Sequence, residues 1–230
     1  MQKSTEKKEE KVVKIIAFGD LHEHTENIAK IAGIADADCV LVTGDLTNFA
    51  GANKAKKIIE LILSYNRRIY AQLGNLDQRE VNDYLDMLGI NLHANGFVIT
   101  EKIGIFGVGG SNPTPFNTPT EYTEQQIKEF MQKGYEKVKE LPLKILVSHT
   151  PPYNTSVDIV GGGTHVGSTA VRAFIETYQV HLCLTGHIHE AVGKDKIGET
   201  VIVNPGMLKD GRYIEVIEKQ GQLEARLKKV

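Results

Sequence analysis

The chain has 230 residues, 24% of them charged, and a formal net charge of −2. That balance excludes a global basic field able to draw the chain onto nucleic acid or an anionic membrane, so an anionic ligand has to be held by a local site. No run approaches the roughly 18 apolar residues that a membrane span needs, and the opening MQKSTEKKEEK has no apolar stretch to serve as a secretory signal. The expected organisation is a charged tail over residues 1–11 and one cytoplasmic domain over 12–230.

In chain order, KVVKIIAFGD reads as a strand, Thr25 to Ile34 as an amphipathic helix and DCVLVTGD as a second strand, which makes a β-α-β unit. A helix from Asn53 to Tyr65, the strand RRIYAQLGN and a helix from Arg79 to Leu88 continue the pattern, so a parallel, helix-flanked sheet is expected. The middle changes character. GFVIT and KIGIFGVGG are separated by a tight polar turn at Glu101 and Lys102, which predicts a hairpin or meander rather than another crossover. After the proline-rich SNPTPFNTPTEYTE come a charged helix from Glu124 to Glu140, the strand KILVSHT, a helix from Ser168 to Tyr178, and the strands VHLCLTGH, TVIVNPG and RYIEVIE. Cys39 and Cys183 lie inside apolar runs and read as small core residues. No fixed-period repeat or linker divides the chain, so two sheets with outer helices are the expected arrangement.

The chemistry gathers at the strand ends. FGDLH ends in Asp20 and His22, TGD in Asp45, LGN in Asn75, SHTPP carries His149, and TGHIH carries His187 and His189. Taken singly, a Gly-Asp after a strand is most often a helix cap and a loop histidine is usually solvated. Five strand ends that each present a metal-binding side chain are a different matter. Mixed imidazole, carboxylate and carboxamide donors suit Mn, Fe, Zn or Ni better than Ca or Mg.

In this order and spacing the blocks resemble the calcineurin-like metallophosphoesterase superfamily, whose signature runs Asp-x-His, Gly-Asp, Gly-Asn, a lone His and Gly-His-x-His, here from about Ile15 to Gly206. The resemblance implies an α/β fold, a four-layer αββα sandwich of two mixed sheets with a dinuclear metal site between them. It implies that Asp20, His22 and His189 hold one divalent ion, that Asn75, His149 and His187 hold the other, and that Asp45 bridges both. Two ions about 3.5–4 Å apart share a hydroxide that attacks a phosphate ester in line.

Leu76 departs from the usual Gly-Asn-His, whose histidine protonates the leaving group. Leucine transfers no proton, a loss on the order of 10²–10⁴ for a poor leaving group. Phosphodiesters or activated esters are therefore expected over monoesters. The alternative is a catalytically weak metal-bound scaffold, as in the retromer subunit that is similar in fold. A replacement acid is sought at His165, in GGGTHVGSTAVR, or at His24. The glycine-rich stretch and the helix start after it are a candidate phosphate cradle. Asn75, His165 and Arg172 are candidate substrate contacts. SNPTPFNTP, with Phe116, is a candidate lid, and Asn204 in VNPG a structural turn. The expected partner is a small phosphate ester, nucleotides included. A long nucleic acid is disfavoured because no extended basic groove can be assembled.

Overall fold

The computed structural model describes residues 12–178 and 180–230, so the expected tail over 1–11 lies outside the described residues. Strand β1 (Val13–Phe18) leads to β2 (Cys39–Val42), helix α1 (Ala52–Tyr65), β3 (Ile69–Ala71) and α2 (Glu80–Met87). The hairpin β4 (Asn95–Val98) and β5 (Ile103–Val108) follows, then α3 (Glu124–Glu136) and β6 (Leu143–Ser148). A two-stranded ribbon of β7 (Ile159–Val160) and β8 (Thr164–His165) precedes α4 (Thr169–Tyr178) and β9 (Leu182–Leu184). The chain closes with β10 (Gly193–Ile197), β11 (Thr200–Asn204), β12 (Arg212–Lys219) and β13 (Gln222–Lys229).

One sheet runs β13-β12-β1-β2-β3, its last three strands parallel; the other runs β10-β11-β9-β6-β5-β4, with β11, β9, β6 and β5 parallel. Strand alternation sorts the core into layers. Ile15 and Ala17 of β1 face the second sheet, packing with Ile105, Ile145 and Leu184. Ile16 and Phe18 point the other way, into a cluster with Ile59 and Ile62 of α1 and Leu85 of α2. A third cluster, with Phe106 and Leu146 at its sheet face, is closed by Ile127 and Met131 of α3 and Phe174 of α4. Three apolar layers between four structural ones make the expected αββα sandwich.

Local chemistry explains the helix ends. In α1 the buried residues Ala55, Ile58, Ile59 and Ile62 form one stripe, and the following Asn66 turns its side chain to donate to the carbonyls of Ile34 and Ala37 at 2.9 and 2.8 Å. A Thr123–Gln126 capping box starts α3. The helix expected over Thr25 to Ile34 is absent; that segment is turns with a short 3-10 helix, Ile28–Lys30. Asn27 accounts for this, because its side-chain amide donates to the carbonyls of Leu208 and Lys209 and binds the segment to the far end of the chain. Among the described residues, no helix is long and apolar enough to cross a membrane.

Candidate metal centre

Asp20 and His22 follow β1, Asp45 follows β2, Asn75 follows β3, His149 follows β6, and His187 and His189 follow β9. All leave the C-terminal ends of parallel strands, where open α/β sheets collect their sites. Backbone hydrogen bonds sew the loops together. Asp20 N–H donates to the Gly44 carbonyl at 3.0 Å, Leu21 and His22 N–H to that of Asp45 at 2.8 and 3.0 Å, and Gly186 N–H to that of His149 at 3.1 Å. Asp20, His22, Asp45 and His187 all hold left-handed backbone, with φ of 47°, 47°, 48° and 67°. Such conformations cost on the order of 1–3 kcal/mol each and persist where surrounding structure enforces them. Two glycines are required by close approach. A Cβ on Gly74 would lie 2.0 Å from Asp45 Oδ1, and one on Gly186 2.3 Å from Asp20 Oδ2.

Asp20, His22, Asp45 and His189 each bring a donor atom to within 4.8 Å of the others. His189 Nε2 lies 3.0 Å from His22 Nε2 and 3.1 Å from Asp20 Oδ1. On the other side, Asn75 Oδ1 lies 3.1 Å from His149 Nε2 and 2.8 Å from His187 Nδ1. Asp45 stands between the two groups, its Oδ2 3.8 Å from His22 Nε2 and 3.5 Å from His149 Nε2, while its Oδ1 accepts the Leu76 N–H at 2.9 Å.

The donor chemistry calls for positive charge. The buried His149 spends its Nδ1–H on the Thr43 carbonyl at 3.1 Å, so a neutral ring turns only a lone pair toward Asn75 and Asp45. Asn75 is oriented by its own amide, which donates to Thr118 Oγ1 at 3.1 Å and leaves the carbonyl oxygen facing the histidines. Lone pairs so arranged repel unless a proton or a cation sits among them. The titration behaviour agrees. Burial opposes a charged His149, but the Asp45 carboxylate outweighs it and raises the imidazole to about 9. Burial likewise opposes an ionised Asp45, yet His149 and His22 hold the carboxyl down at about 2. For His187, burial and then the charge of His149 push the ring down to about 4. Burial also lowers His22, while at His189 the Asp20 carboxylate prevails over burial and raises the ring. These residues fit divalent metal ions.

A residue the motif reading passed over supports the loops from beneath. Asp77 is fully buried and accepts four hydrogen bonds, from the N–H groups of Leu46, Thr47 and Gly74 and from the Thr47 hydroxyl, at 2.7–3.0 Å. Burial and the nearby Asp45 charge push its pKa up to about 7, against four donors that favour the carboxylate. An Asp shortly before a helix reads as a cap in sequence; here the helix begins at Glu80 without a side-chain cap and Asp77 points inward.

A cleft of about 980 Å³ opens from the centre, reaching Asp45, Asn75, His187 and His189. Leu76 and His165 both line it. His165 Nδ1 lies 2.7 Å from Asp158, a fully buried carboxylate that also accepts the N–H groups of Asn154, Thr155 and Gly167. Nothing in the sequence around Asp158 marks that role. Other candidate residues lie outside the cleft lining. Arg172 does not line the cleft; its guanidinium donates to the carbonyls of Tyr153 and Asn154 and pairs with Glu176. His24 does not line it either, and lies 3.5 Å from Glu26 at the surface. The helix start expected to cradle phosphate is taken by the protein itself, since Glu124 accepts the N–H groups of Thr169 and Ala170 and the Ser168 hydroxyl. Asn204 forms the expected turn, accepting the Gly206 N–H and donating to the Ile188 carbonyl.

Imidazoles and carboxylates clustered between the sheets of an αββα sandwich are the arrangement of a metal-dependent phosphoesterase. Residues 13–191 match the model of the calcineurin-like phosphoesterase family, and the chain belongs to that family. Uncharacterized protein MJ1162 of Methanocaldococcus jannaschii is 41% identical over 201 residues, which span 85% of this chain and 88% of that one. Among solved structures, TT1561 of Thermus thermophilus is 20% identical, with a TM-score of 0.71 over 94% of this chain and 99% of its own. A putative 5'-nucleotidase from Staphylococcus aureus has a TM-score of 0.57 at 16% identity, over 96% of this chain and 54% of its own. Both structures are similar in fold. Family membership implies a metal-dependent phosphoester hydrolase.

Proposed function

We propose that the chain hydrolyses phosphate esters with two divalent transition-metal ions and favours phosphodiesters or activated esters. The observation that supports this best is the position of Asp45, whose Oδ2 reaches toward both His22 and His149. Asp20, His22 and His189 would hold one ion, Asn75, His149 and His187 the other, with Asp45 common to both. When bound, such ions offset phosphate charge and lower the pKa of a water molecule so that it becomes a nucleophile near neutral pH.

The chain's own residues determine which esters react. Leu76 lines the cleft beside Asn75, holds Asp45 through its backbone N–H and has no side-chain proton to give. His165 lines the same cleft with Nδ1 fixed by Asp158, which leaves Nε2 as the nitrogen that can serve a leaving oxygen. A histidine oriented by a buried carboxylate is the usual geometry of a general acid or base. The scaffold alternative is weaker, because a buried set of polar donors is costly to keep without an occupant.

The test is Asp45→Ala. Under metal-replete conditions this variant is expected to lose hydrolysis of bis(p-nitrophenyl) phosphate while its circular dichroism stays that of the wild type. Turnover at the wild-type level would refute the two-metal reading.

A further inference from the structure

The cleft is larger than a phosphate needs, since about 300–1,000 Å³ is the range of sites that enclose a drug-sized ligand. Beyond the candidate ligands it is lined by Phe49, Leu76, Phe116, Tyr153, Val160 and Ile188, and neither lysine nor arginine is among its lining residues. Three of these are exposed aromatics: Phe116 is 80% accessible, Phe49 54% and Tyr153 40%.

All three are held in place, Tyr153 by its N–H, which donates to the Ser168 carbonyl, and by its own carbonyl, which accepts from Arg172, each at 3.0 Å. Phe49 has left-handed backbone at φ 56°, a conformation bulky side chains avoid. Both of its peptide groups are engaged, the N–H donating to the Leu76 carbonyl and the carbonyl accepting from Gln78, each at 3.1 Å. Phe116 sits on a loop pinned on either side by Glu121, which accepts the Thr114 hydroxyl and both the N–H and the hydroxyl of Thr118 at 2.6–2.8 Å. An exposed phenyl on a fixed backbone is costly in water and gains when a ligand covers it.

Several polar groups of the cleft are committed to the protein, while His165 Nε2 and the Tyr153 hydroxyl have no hydrogen-bond partner among the described residues. Asn112 accepts the Thr150 hydroxyl and donates to the Val166 carbonyl, and Thr114 and Thr118 are held by Glu121. Glu190, also in the lining, adds negative charge. Among the described residues, no lysine or arginine lines the cleft to hold a second phosphate.

We propose that the cleft takes one arm of a single-phosphate ester and that this arm is an extended apolar group, alkyl or aryl, recognised by contact area. The inference rests on the phosphoesterase reading for the position of the phosphate. In the reaction, water gives up a proton as its oxygen joins phosphorus, the P–O bond to the leaving arm breaks with its electron pair, and the leaving oxygen takes up a proton in turn.

The test measures binding apart from turnover. Methyl-, phenyl- and octylphosphonate and AMP are titrated calorimetrically into the Mn-loaded full chain. Phenyl- and octylphosphonate are expected to bind at least about tenfold more tightly than methylphosphonate, given the apolar area they cover, and AMP no more tightly than methylphosphonate. Phe116→Ala and Phe49→Ala are expected to shrink the octyl-to-methyl ratio at least about threefold; Phe116 is so exposed that its loss leaves folding intact. Equal affinities across the series, or AMP binding more tightly than octylphosphonate, would overturn the proposal. A parallel assay on methyl and octyl p-nitrophenyl phosphate separates the two readings. A binding gradient without hydrolysis refutes only the phosphoesterase reading, hydrolysis without a gradient refutes only this one, and the absence of both phosphonate binding and hydrolysis refutes both.

Discussion

Leu76 does two separable things. Its backbone N–H holds Asp45 Oδ1 at 2.9 Å, a contact any residue but proline would make, and its side chain lines the cleft. Only the second depends on its being leucine. Leu76→His is therefore expected to raise the rate on alkyl monoesters relative to aryl diesters by on the order of tenfold or more, because a new acid helps only leaving groups that need protonation. Steady-state kinetics on both substrate types, with metal content matched, checks this, and an unchanged ratio would show that residue 76 does not face the leaving group. At this scale the candidate ligands were legible in the sequence, since Asp20, His22, Asp45, Asn75, His149, His187 and His189 each follow a strand in a recognisable block. Asp77 and Asp158 were not. Asp77 serves N–H groups of a distant loop and Asp158 those of its own turn, yet both have the local sequence of an ordinary turn residue.

Among elements, the proline-rich loop has a role that its composition hides. Beyond carrying Phe116, it supplies Thr118, whose hydroxyl accepts the Asn75 amide and donates to Glu121 at 2.7 Å. That relay decides which end of Asn75 faces the centre. Thr118→Val removes the acceptor and frees the carboxamide to turn, so the affinity of one metal position is expected to fall about 10–100-fold, the usual cost of losing an outer partner. Thr118→Ser should restore it. Metal titration monitored by calorimetry reads both variants; equal affinity in wild type and Thr118→Val would remove the loop from the site. Helices α1, α2 and α4 were legible from apolar spacing, and the hairpin of β4 and β5 from its short polar turn. Strand β13 was not, because GQLEARLKK exposes most of its length and buries only Ala225, as an edge strand does. The helix expected over Thr25 to Ile34 failed because an amphipathic pattern says nothing of a side chain such as Asn27 that is bound elsewhere.

Across the whole molecule, the centre couples metal binding to protons. Without metal, His149 keeps its proton up to about 9, whereas His187, held near 4, is neutral at neutral pH. An incoming cation must displace the His149 proton. Loading at pH ~7.5 is therefore expected to release at least about one proton per chain, and the release should decline as pH rises through about 9. Calorimetry in buffers of different ionisation heat measures this, and release that grew with pH would contradict the assignment. Stability follows the same sign. The folded pKa of His149 lies above its ordinary 6.5, so its contribution to the metal-free fold is complete below that value and is lost as pH rises through about 9.

Two metal ions acting together across Asp45 would make hydrolysis depend on both. The direct test is to strip the protein with chelator, add Mn²⁺ in measured equivalents and follow hydrolysis of bis(p-nitrophenyl) phosphate. No turnover is expected in the stripped protein, and the rate should saturate at two ions per chain. Full turnover without metal, or saturation at one ion, would contradict a two-metal centre.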